Sequence, residues 1–162
     1  MERTFLTLVV IGTVLLVFAL MRLGWVRATA REATITKPAA LSDAAVIAGP
    51  WSGKYLGTTH ADQWLQRIHV HGLGVQSHAV VSLTVDAINI ERAGAPSFSV
   101  PHSAVRGVRG DSGIAGRAYE TGGIIVITYV LGDIDVEFGV RFPSTETHIA
   151  ALSALTALEV SS

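Results

Sequence analysis

The chain has 162 residues, of which 49% are hydrophobic and none is cysteine. The net charge of −1 is unevenly distributed, because residues 1–40 carry five basic and two acidic residues (+3) whereas residues 41–162 carry seven and eleven (−4). A mildly acidic carboxy-terminal part argues against a nucleic-acid-binding protein, since such proteins present a basic face. The absence of cysteine excludes a disulfide framework, and the roughly 120 residues that follow the first segment are enough for one domain.

The first element is a run of 18 uncharged residues from Thr4 to Met21, "TFLTLVVIGTVLLVFALM". A helix of this length spans about 27 Å, close to the ~30 Å hydrocarbon core of a bilayer. The run is apolar on all sides, and Arg3, Arg22 and Trp25 flank it as residues that favour the membrane interface. We therefore predict a membrane anchor with its flanks over residues 1–26 and a transmembrane helix at about 4–21.

The main alternative is a cleavable signal peptide, because Ala28–Ala30 imitates the small-x-small cleavage pattern. Against it, the apolar run is longer than the usual ~7–15 residues, and Arg22 and Arg27 lie before the supposed cut. A helix buried in a soluble domain would show one apolar stripe instead. Basic residues are concentrated after the run, where Arg31 and Lys37 also lie, and the more basic flank tends to stay in the cytoplasm. We predict a single-pass protein of the cell membrane with its amino terminus outside and its carboxy-terminal domain in the cytoplasm.

Residues 27–50 are rich in alanine and threonine and are predicted to form a linker, with a short helical turn around Ser42–Ile47. From Trp51 onward, short apolar runs alternate with turn residues, a pattern typical of antiparallel β-structure. Hairpin turns are expected at Asp86–Ala87, Thr121–Gly123 and Gly132–Asp133. The strand candidates are Ser77–Val85, Ala87–Arg92, Ser97–Pro101, Ala104–Gly110, Gly116–Glu120, Gly123–Leu131 and Asp133–Phe142.

After Phe142 the hydrophobic period changes to that of a helix, predicted at about 145–159 with Ser144 or Thr145 as the N-cap. Its apolar side is expected to consist of Ile149, Leu152, Leu155 and Leu158. About seven short strands and one terminal amphipathic helix predict a mainly β domain over residues 51–162, either a small barrel or a sandwich, with the helix closing it.

Four stretches carry a resemblance to a known family: "GKYLGTTHADQWLQRIHVHGLG" (Gly53 to Gly74), "INIERAG" (Ile88 to Gly94), "SVPHSAVRGVRGDSGIAG" (Ser99 to Gly116) and "GGIIVITYVLG" (Gly122 to Gly132). With the amino-terminal anchor, they resemble an actinobacterial family of single-pass membrane proteins that carry a bacterial pleckstrin-homology (PH)-like domain. The resemblance implies a bent β-barrel of about seven strands capped by a carboxy-terminal helix. Members are often labelled only as membrane or export proteins and tend to be encoded among pyrimidine-biosynthesis genes. The resemblance therefore implies a fold and a location, and it transfers no catalytic residue.

The segment "RIHVHGLGVQSH" offers candidate metal ligands. His69 and His71 would point to the same side of an extended strand, and His60 or His78 could supply a third ligand. However, a His-x-His pair is short and common, and no cysteine or closely spaced acidic residue accompanies it. We therefore predict half-exposed strand histidines, with no metal site and no cofactor.

Three aromatic residues near the start of the domain, Trp51, Tyr55 and Trp64, are candidates for an exposed contact surface, since aromatic side chains are enriched in interfaces. The alternative is that they fill the core. The same region is where PH domains that bind phosphoinositides carry several basic residues, but here it offers only Lys54 and Arg67. The sequence therefore argues against phosphoinositide binding.

The glycine-rich stretch "RGVRGDSGIAGR" carries Arg106, Arg109 and Arg117. Its backbone amides and guanidinium groups could hold an anion, or the stretch could simply be a flexible connection with solvated arginines. The candidate partner-contact residues are thus Trp51, Tyr55, Trp64, Arg67, Arg106 and Arg109.

The sequence holds no G-x-S-x-G motif, no P-loop and no cysteine nucleophile, so we predict that the protein is not an enzyme. The main hypothesis is a membrane-anchored PH-like domain that binds an unknown protein partner or assembles a complex at the cytoplasmic face. The alternative is an accessory subunit of a transporter or export complex, for which Gly12 and Thr13 offer weak small-residue support for helix packing. Metal-dependent chemistry at His69 and His71 is the least favoured hypothesis.

Overall fold

The computed structural model describes residues 10–24, 34–61 and 63–158, and of Trp64 only the backbone. Contacts divide the chain into two units, Met1–Ile35 and Thr36–Ser162, which are described separately. In the first unit, residues 10–24 form a helix, α1, and every one of them is exposed. Within the described ranges, no helix is both long enough and apolar enough to cross a membrane. The first six residues of the predicted anchor helix lie outside these ranges, so the anchor stays a prediction.

The second unit consists of antiparallel strands followed by one helix. The main sheet has the order β5-β4-β3-β1-β10-β9-β6, β2 pairs with the end of β1, and β7 and β8 form a separate small hairpin. The elements are β1 (Val46–His60), β2 (Gln63–Arg67), β3 (Ser77–Thr84), β4 (Ala87–Arg92), β5 (Phe98–Pro101), β6 (Val105–Asp111), β7 (Gly113–Ile114), β8 (Arg117–Ala118), β9 (Ile124–Leu131), β10 (Ile134–Arg141) and α2 (Thr145–Thr156), with short 3₁₀ turns at Val70–Gly72 and His102–Ala104.

The central strand β1 joins the two halves of the sheet. Its first part, Val46–Tyr55, pairs with β3, and its second part, Lys54–His60, pairs with β10. Register shifts interrupt both ladders, and Gly57 has a φ of +125°, which side-chain-bearing residues rarely adopt. Such irregularities bend a strand. The two halves of the sheet therefore face a common core.

Aromatic rings from both halves meet in that core. Phe138 of β10 contacts Tyr55 of β1, Phe98 of β5 and Tyr129 of β9, with ring centroids 6.0, 5.8 and 5.8 Å apart. Burying rings of this size contributes most of the hydrophobic stabilisation in a small domain. Strands far apart in the order of the sheet are thereby fixed against each other.

A second apolar cluster lies on the outer face of the sheet. It consists of Leu56, Ile114, Ala115, Ile124 and Val126, with Tyr119 packed against it. The β7–β8 hairpin supplies part of this cluster, which explains why Ile124–Ile127 are buried on both faces of β9. The outer face of β9 is thus covered by an insertion between β6 and β9.

The mainly β domain with a carboxy-terminal helix is confirmed, but over the described ranges the sheet does not close into the expected barrel. Among the described residues, the edge strands β5 and β6 do not pair with each other, so the sheet is bent but open. The free edge of β5 instead forms a bridge from Ser99 to Ala39, with the Ser99 amide donating to the Ala39 carbonyl (3.0 Å). Coverage by the chain's own preceding segment protects this edge, as pairing in a closed barrel would.

The segment before Trp51 is more ordered than a linker. β1 begins at Val46, and the Asn89 side chain accepts from the Ser42 amide (2.9 Å) and donates to the Ser42 carbonyl (2.8 Å). The helical turn expected around Ser42–Ile47 is wrong, because backbone groups in this segment bond to the sheet. Alanine-rich composition gave no sign of these long-range partners.

The strand predictions mostly hold. The β3–β4 and β9–β10 hairpins are confirmed, with turns at Asp86 and at Gly132–Asp133. The hairpin expected at Thr121–Gly123 is wrong, since β8 has only two residues and pairs with β7. Ile114 of β7 packs in the second apolar cluster, and β8 pairs with β7 instead of β9.

Helix α2 begins where predicted, and the Ser144 hydroxyl caps it by accepting from the Thr147 amide (3.1 Å). The helix packs on β6, β1 and β9 through Ala151 and Leu155, which are buried. The expected apolar side is only partly correct, because Ile149 is exposed. Leu155 is buried as expected, and Ala151 is buried as well.

Candidate functional site

Of the three aromatic residues predicted as a contact surface, the structure buries Tyr55. Tyr55 is fully buried, and its hydroxyl donates to the Leu73 carbonyl (2.8 Å) and shares a second hydrogen bond with the Thr58 hydroxyl. Burial raises the pKa of Tyr55 to about 12. Trp51 is half-buried, and the side chain of Trp64 lies outside the described residues. Tyr55 therefore belongs to the core, because it closes the aromatic cluster from β1.

Arg67 is used inside the protein. Its Nε and Nη2 atoms donate to the Ala115 carbonyl (3.2 and 2.9 Å), and Nη1 donates to the Gly74 carbonyl (3.4 Å). These bonds hold the β7–β8 hairpin against β2. The half-buried Arg67 side chain stabilises the insertion and has few donors left for a partner.

In the arginine-rich stretch, Arg109 is paired with two carboxylates. Arg109 makes a bidentate ion pair with Glu137 (2.8 and 3.0 Å), and its Nε donates to Asp111 (3.0 Å). The hydrogen bonds to Glu137 raise the pKa of Arg109. Arg117 lines a shallow cavity with these three residues, so two arginines meet two carboxylates there. Arg106 is exposed on β6. This arrangement favours a structural cross-strand network over an anion site.

The histidine prediction is also corrected. His71 lies in the 3₁₀ turn Val70–Gly72 with a φ of +56°, and His69 immediately precedes that turn. The two side chains are therefore not placed on one face of a strand. Across the described ranges, no group of three or more His, Cys, Asp or Glu residues could hold a metal ion.

Arg92 is a structural residue that the sequence analysis missed. It is only 7% exposed, and it donates to the Ser77 hydroxyl (3.2 Å) and to the carbonyls of Gly72 (2.9 Å) and Val75 (2.6 Å). Its guanidinium lies 4.1 Å from the centroid of the Tyr55 ring. Desolvation lowers the pKa of Arg92. Its place two residues after Ile90 on one strand could have revealed that it faces the core.

Three basic residues come together on the outer face of the sheet. Lys54 on β1 lies directly opposite His78 on β3 and directly opposite Arg141 on β10. Residues opposite each other on antiparallel strands share a face and have Cβ atoms about 4.5–5.5 Å apart. Their neighbours Tyr55 and Val140 point into the core, so the basic row points outward.

This row forms one wall of a cleft of about 610 Å³, which we call the basic cleft. The cleft is also lined by the loop after β8, with Glu120, and by the first turns of α2, with His148. Gly53 also lines the cleft, and an added Cβ there would be 2.7 Å from the Arg141 carbonyl oxygen and 2.8 Å from the Phe142 ring. Further lining residues are Ser52, Thr121, Gly122, Gly123, Pro143, Ser144 and Thr145.

One carboxylate already lies in the basic cleft. The Glu120 carboxylate accepts from Arg141 Nη2 (2.8 Å), and the Arg141 guanidinium also lies 5.5 Å from the Tyr119 ring centroid. The pKa of Glu120 is lowered first by a bond from its own amide and then by Arg141. Within the described part of the chain, Lys54 and His78 have no carboxylate partner. No sequence signal identifies this cleft, since strand register alone brings these residues together.

A bent open antiparallel sheet, with a long first strand shared by both halves and a carboxy-terminal helix packed on it, is the architecture of a PH-like domain. In agreement with this fold, the family described as bacterial PH domain-like matches residues 32–156. The chain therefore belongs to the bacterial PH domain-like family. No curated protein and no solved structure matches the chain. Domains of the PH-like class are generally non-catalytic, which is consistent with an interaction module.

Proposed function

We propose that the protein is a non-catalytic interaction or assembly module, anchored in the cell membrane by its amino-terminal segment and displaying its PH-like domain at the cytoplasmic face. The observation that carries this proposal is membership of the bacterial PH domain-like family over residues 32–156. The partner is an unidentified protein. Anchoring raises the local concentration of the domain at the membrane, so that modest affinity for a partner suffices.

The polar chemistry of the domain supports a binding role over a catalytic one. The most buried charged groups are committed to structure, since Arg92 holds two loops and Glu137 holds Arg109 across the sheet. Of the candidate contact residues, exposed Arg106 and half-buried Trp51 retain surface for a partner. Exposed side chains on a rigid sheet are suited to recognition.

The anchoring part of the proposal rests on the first unit. Helix α1 exposes apolar side chains, among them Leu15 (63%) and Phe18 (67%). Exposed apolar surface on this scale marks contact with a membrane or with another protein. The uncharged run Thr4–Met21 and the basic flank after it support insertion with the domain inside the cell.

The test is photo-crosslinking in cells from the full-length chain with a photoreactive amino acid at Arg106. We expect a discrete crosslinked complex in the membrane fraction. A Leu15→Lys, Leu16→Lys variant places two charges in the apolar run, each costing about 3 kcal/mol at a helix centre. This variant should leave the membrane and still form a complex of the same mass. Leu23→Lys, which adds a charge at the flank, is the matched control and should stay in the membrane.

The outcomes separate the hypotheses. Loss of the complex in the double-lysine variant, with the domain still folded by circular dichroism, would favour the alternative of a transporter or export subunit that assembles through its helix. Absence of a discrete complex from the wild-type chain would contradict the interaction module.

A further inference from the structure

We propose that the basic cleft docks an acidic segment of a protein partner, with Lys54 at the centre of the contact. This inference rests on the proposed function and adds the chemistry of the partner. No residue that the sequence analysis selected as a partner contact lines the cleft, although Trp51 and Tyr55 lie close to its residues in β1.

The geometry of the basic row fits an extended chain of carboxylates. His78, Lys54 and Arg141 lie on three adjacent strands, β3, β1 and β10. Strands are about 4.8 Å apart, so the row spans about 10 Å. Alternate side chains of an extended peptide are about 6.8 Å apart on one face, so two of its carboxylates can contact the row together.

The row is unfavourable for the isolated domain. Like charges directly opposite one another in a sheet destabilise it, and Lys54 lies opposite Arg141, which binds Glu120, while Lys54 has no carboxylate of its own within the described residues. An arrangement that costs stability and faces an open cleft is typical of a binding site. An acidic ligand would supply the missing negative charge.

The domain itself shows which anion the cleft accepts. Glu120 enters it from the loop after β8 and binds Arg141 through one carboxylate oxygen (2.8 Å). A partner carboxylate bound to Lys54 would repeat this contact one strand away. The carboxylate of a protein side chain is therefore the ligand chemistry that the cleft favours.

The shape of the cleft favours a protein segment over a membrane surface. The Glu120–Gly123 loop and the start of α2 line the cleft beside the row, and a concave site of this kind fits a protein segment better than a flat bilayer. Phe142 and Pro143 add apolar wall beside the charges, which suits a peptide with both carboxylates and methylene groups.

The test is fluorescence anisotropy with the full-length protein in neutral detergent and a labelled ten-residue peptide of alternating glutamate and alanine. We expect binding that weakens with added salt. Lys54→Glu should weaken it by at least about tenfold, and Lys54→Gln by several-fold. Lys37→Gln is the matched control, because Lys37 is exposed and does not line the cleft; it should change binding less than about twofold.

A second readout separates binding from folding. Lys54→Glu places a carboxylate directly opposite Arg141 of β10, so its melting temperature should equal or exceed that of the wild type while peptide binding is lost. Peptide binding that Lys54→Glu leaves unchanged would overturn the proposal. So would the absence of peptide binding together with Lys54-dependent binding to phosphatidylglycerol vesicles. If either result occurred while the Arg106 crosslink persisted, the interaction module would stand and only the acidic segment would be wrong.

Discussion

Two buried tyrosines should respond in opposite ways to loss of the hydroxyl. Both rings pack on Phe138 and are almost fully buried, so phenylalanine keeps the ring contacts in each case. The Tyr55 hydroxyl bonds to the Leu73 carbonyl and the Thr58 hydroxyl. The Tyr129 hydroxyl has no hydrogen-bond partner among the described residues. Burying an unpaired hydroxyl costs about 1–3 kcal/mol.

The magnitudes follow from the partners that remain. After Tyr55→Phe, the Leu73 carbonyl still accepts from the Thr58 amide (2.9 Å), but the buried Thr58 hydroxyl loses its partner. We expect a loss of about 1–2 kcal/mol for Tyr55→Phe and a gain of about 1 kcal/mol for Tyr129→Phe. The gain corresponds to a melting temperature about 4 °C higher.

The assay is urea unfolding of the full-length chain in mild detergent, followed by tryptophan fluorescence. Each tyrosine variant serves as the control for the other, since both remove one oxygen atom from the same core. If Tyr129→Phe destabilised the protein as much as Tyr55→Phe, hydroxyl pairing would not explain the stability of this core, and the reasoning would be refuted.

Three further predictions concern charge and capping. Burial raises the pKa of Tyr55 to about 12, so its contribution to stability is complete below pH 10, the ordinary tyrosine value, and is lost as pH rises through 12. Over that range, Tyr55→Phe should make the unfolding free energy fall less steeply, by up to about 1.4 kcal/mol per pH unit. A slope unchanged by the substitution in alkaline urea titrations would contradict this prediction. Glu137→Gln should cost about 1–2 kcal/mol because Glu137 is 7% exposed and bidentate with Arg109, whereas Glu120→Gln, in an exposed ion pair, should cost clearly less. Equal costs in urea unfolding would count against this ranking. Ser144→Ala should cost about 1 kcal/mol through loss of the α2 cap, measured as a lower thermal midpoint, and a midpoint unchanged from the wild type would exclude the capping role.

The sequence predicted those elements whose signals are local. Alternation and turn residues placed β3, β4, β9 and β10, and the change of period after Phe142 placed α2 with Ser144 as its cap. The β7–β8 hairpin was missed because it depends on Ile114 packing against residues of other strands. The predicted barrel would have paired the edge strand β5 with another strand. In the structure, Ala39 bridges to Ser99 of β5 instead.

The basic cleft could not be predicted, for a related reason. Lys54, His78 and Arg141 are far apart in the chain, and only the register of β1 with β3 and β10 places them side by side. Tyr55 and Lys54 are consecutive residues of β1, yet the Tyr55 side chain lies in the core and the Lys54 side chain lines the cleft. A shift of one residue in the register of β1 would exchange the two faces. Composition identifies aromatic and basic residues, but it does not say which face of a sheet they occupy.

The central claim is that a PH-like domain is held at the cytoplasmic face of the membrane to bind a partner. Its most direct test is protease accessibility of a carboxy-terminal tag on the full-length chain, in intact and in opened cells, with the chain recovered from alkali-washed membranes. We expect a membrane-retained chain whose tag is protected in intact cells and digested once the cells are opened. Release of the chain by the alkaline wash, or digestion of the tag in intact cells, would contradict it.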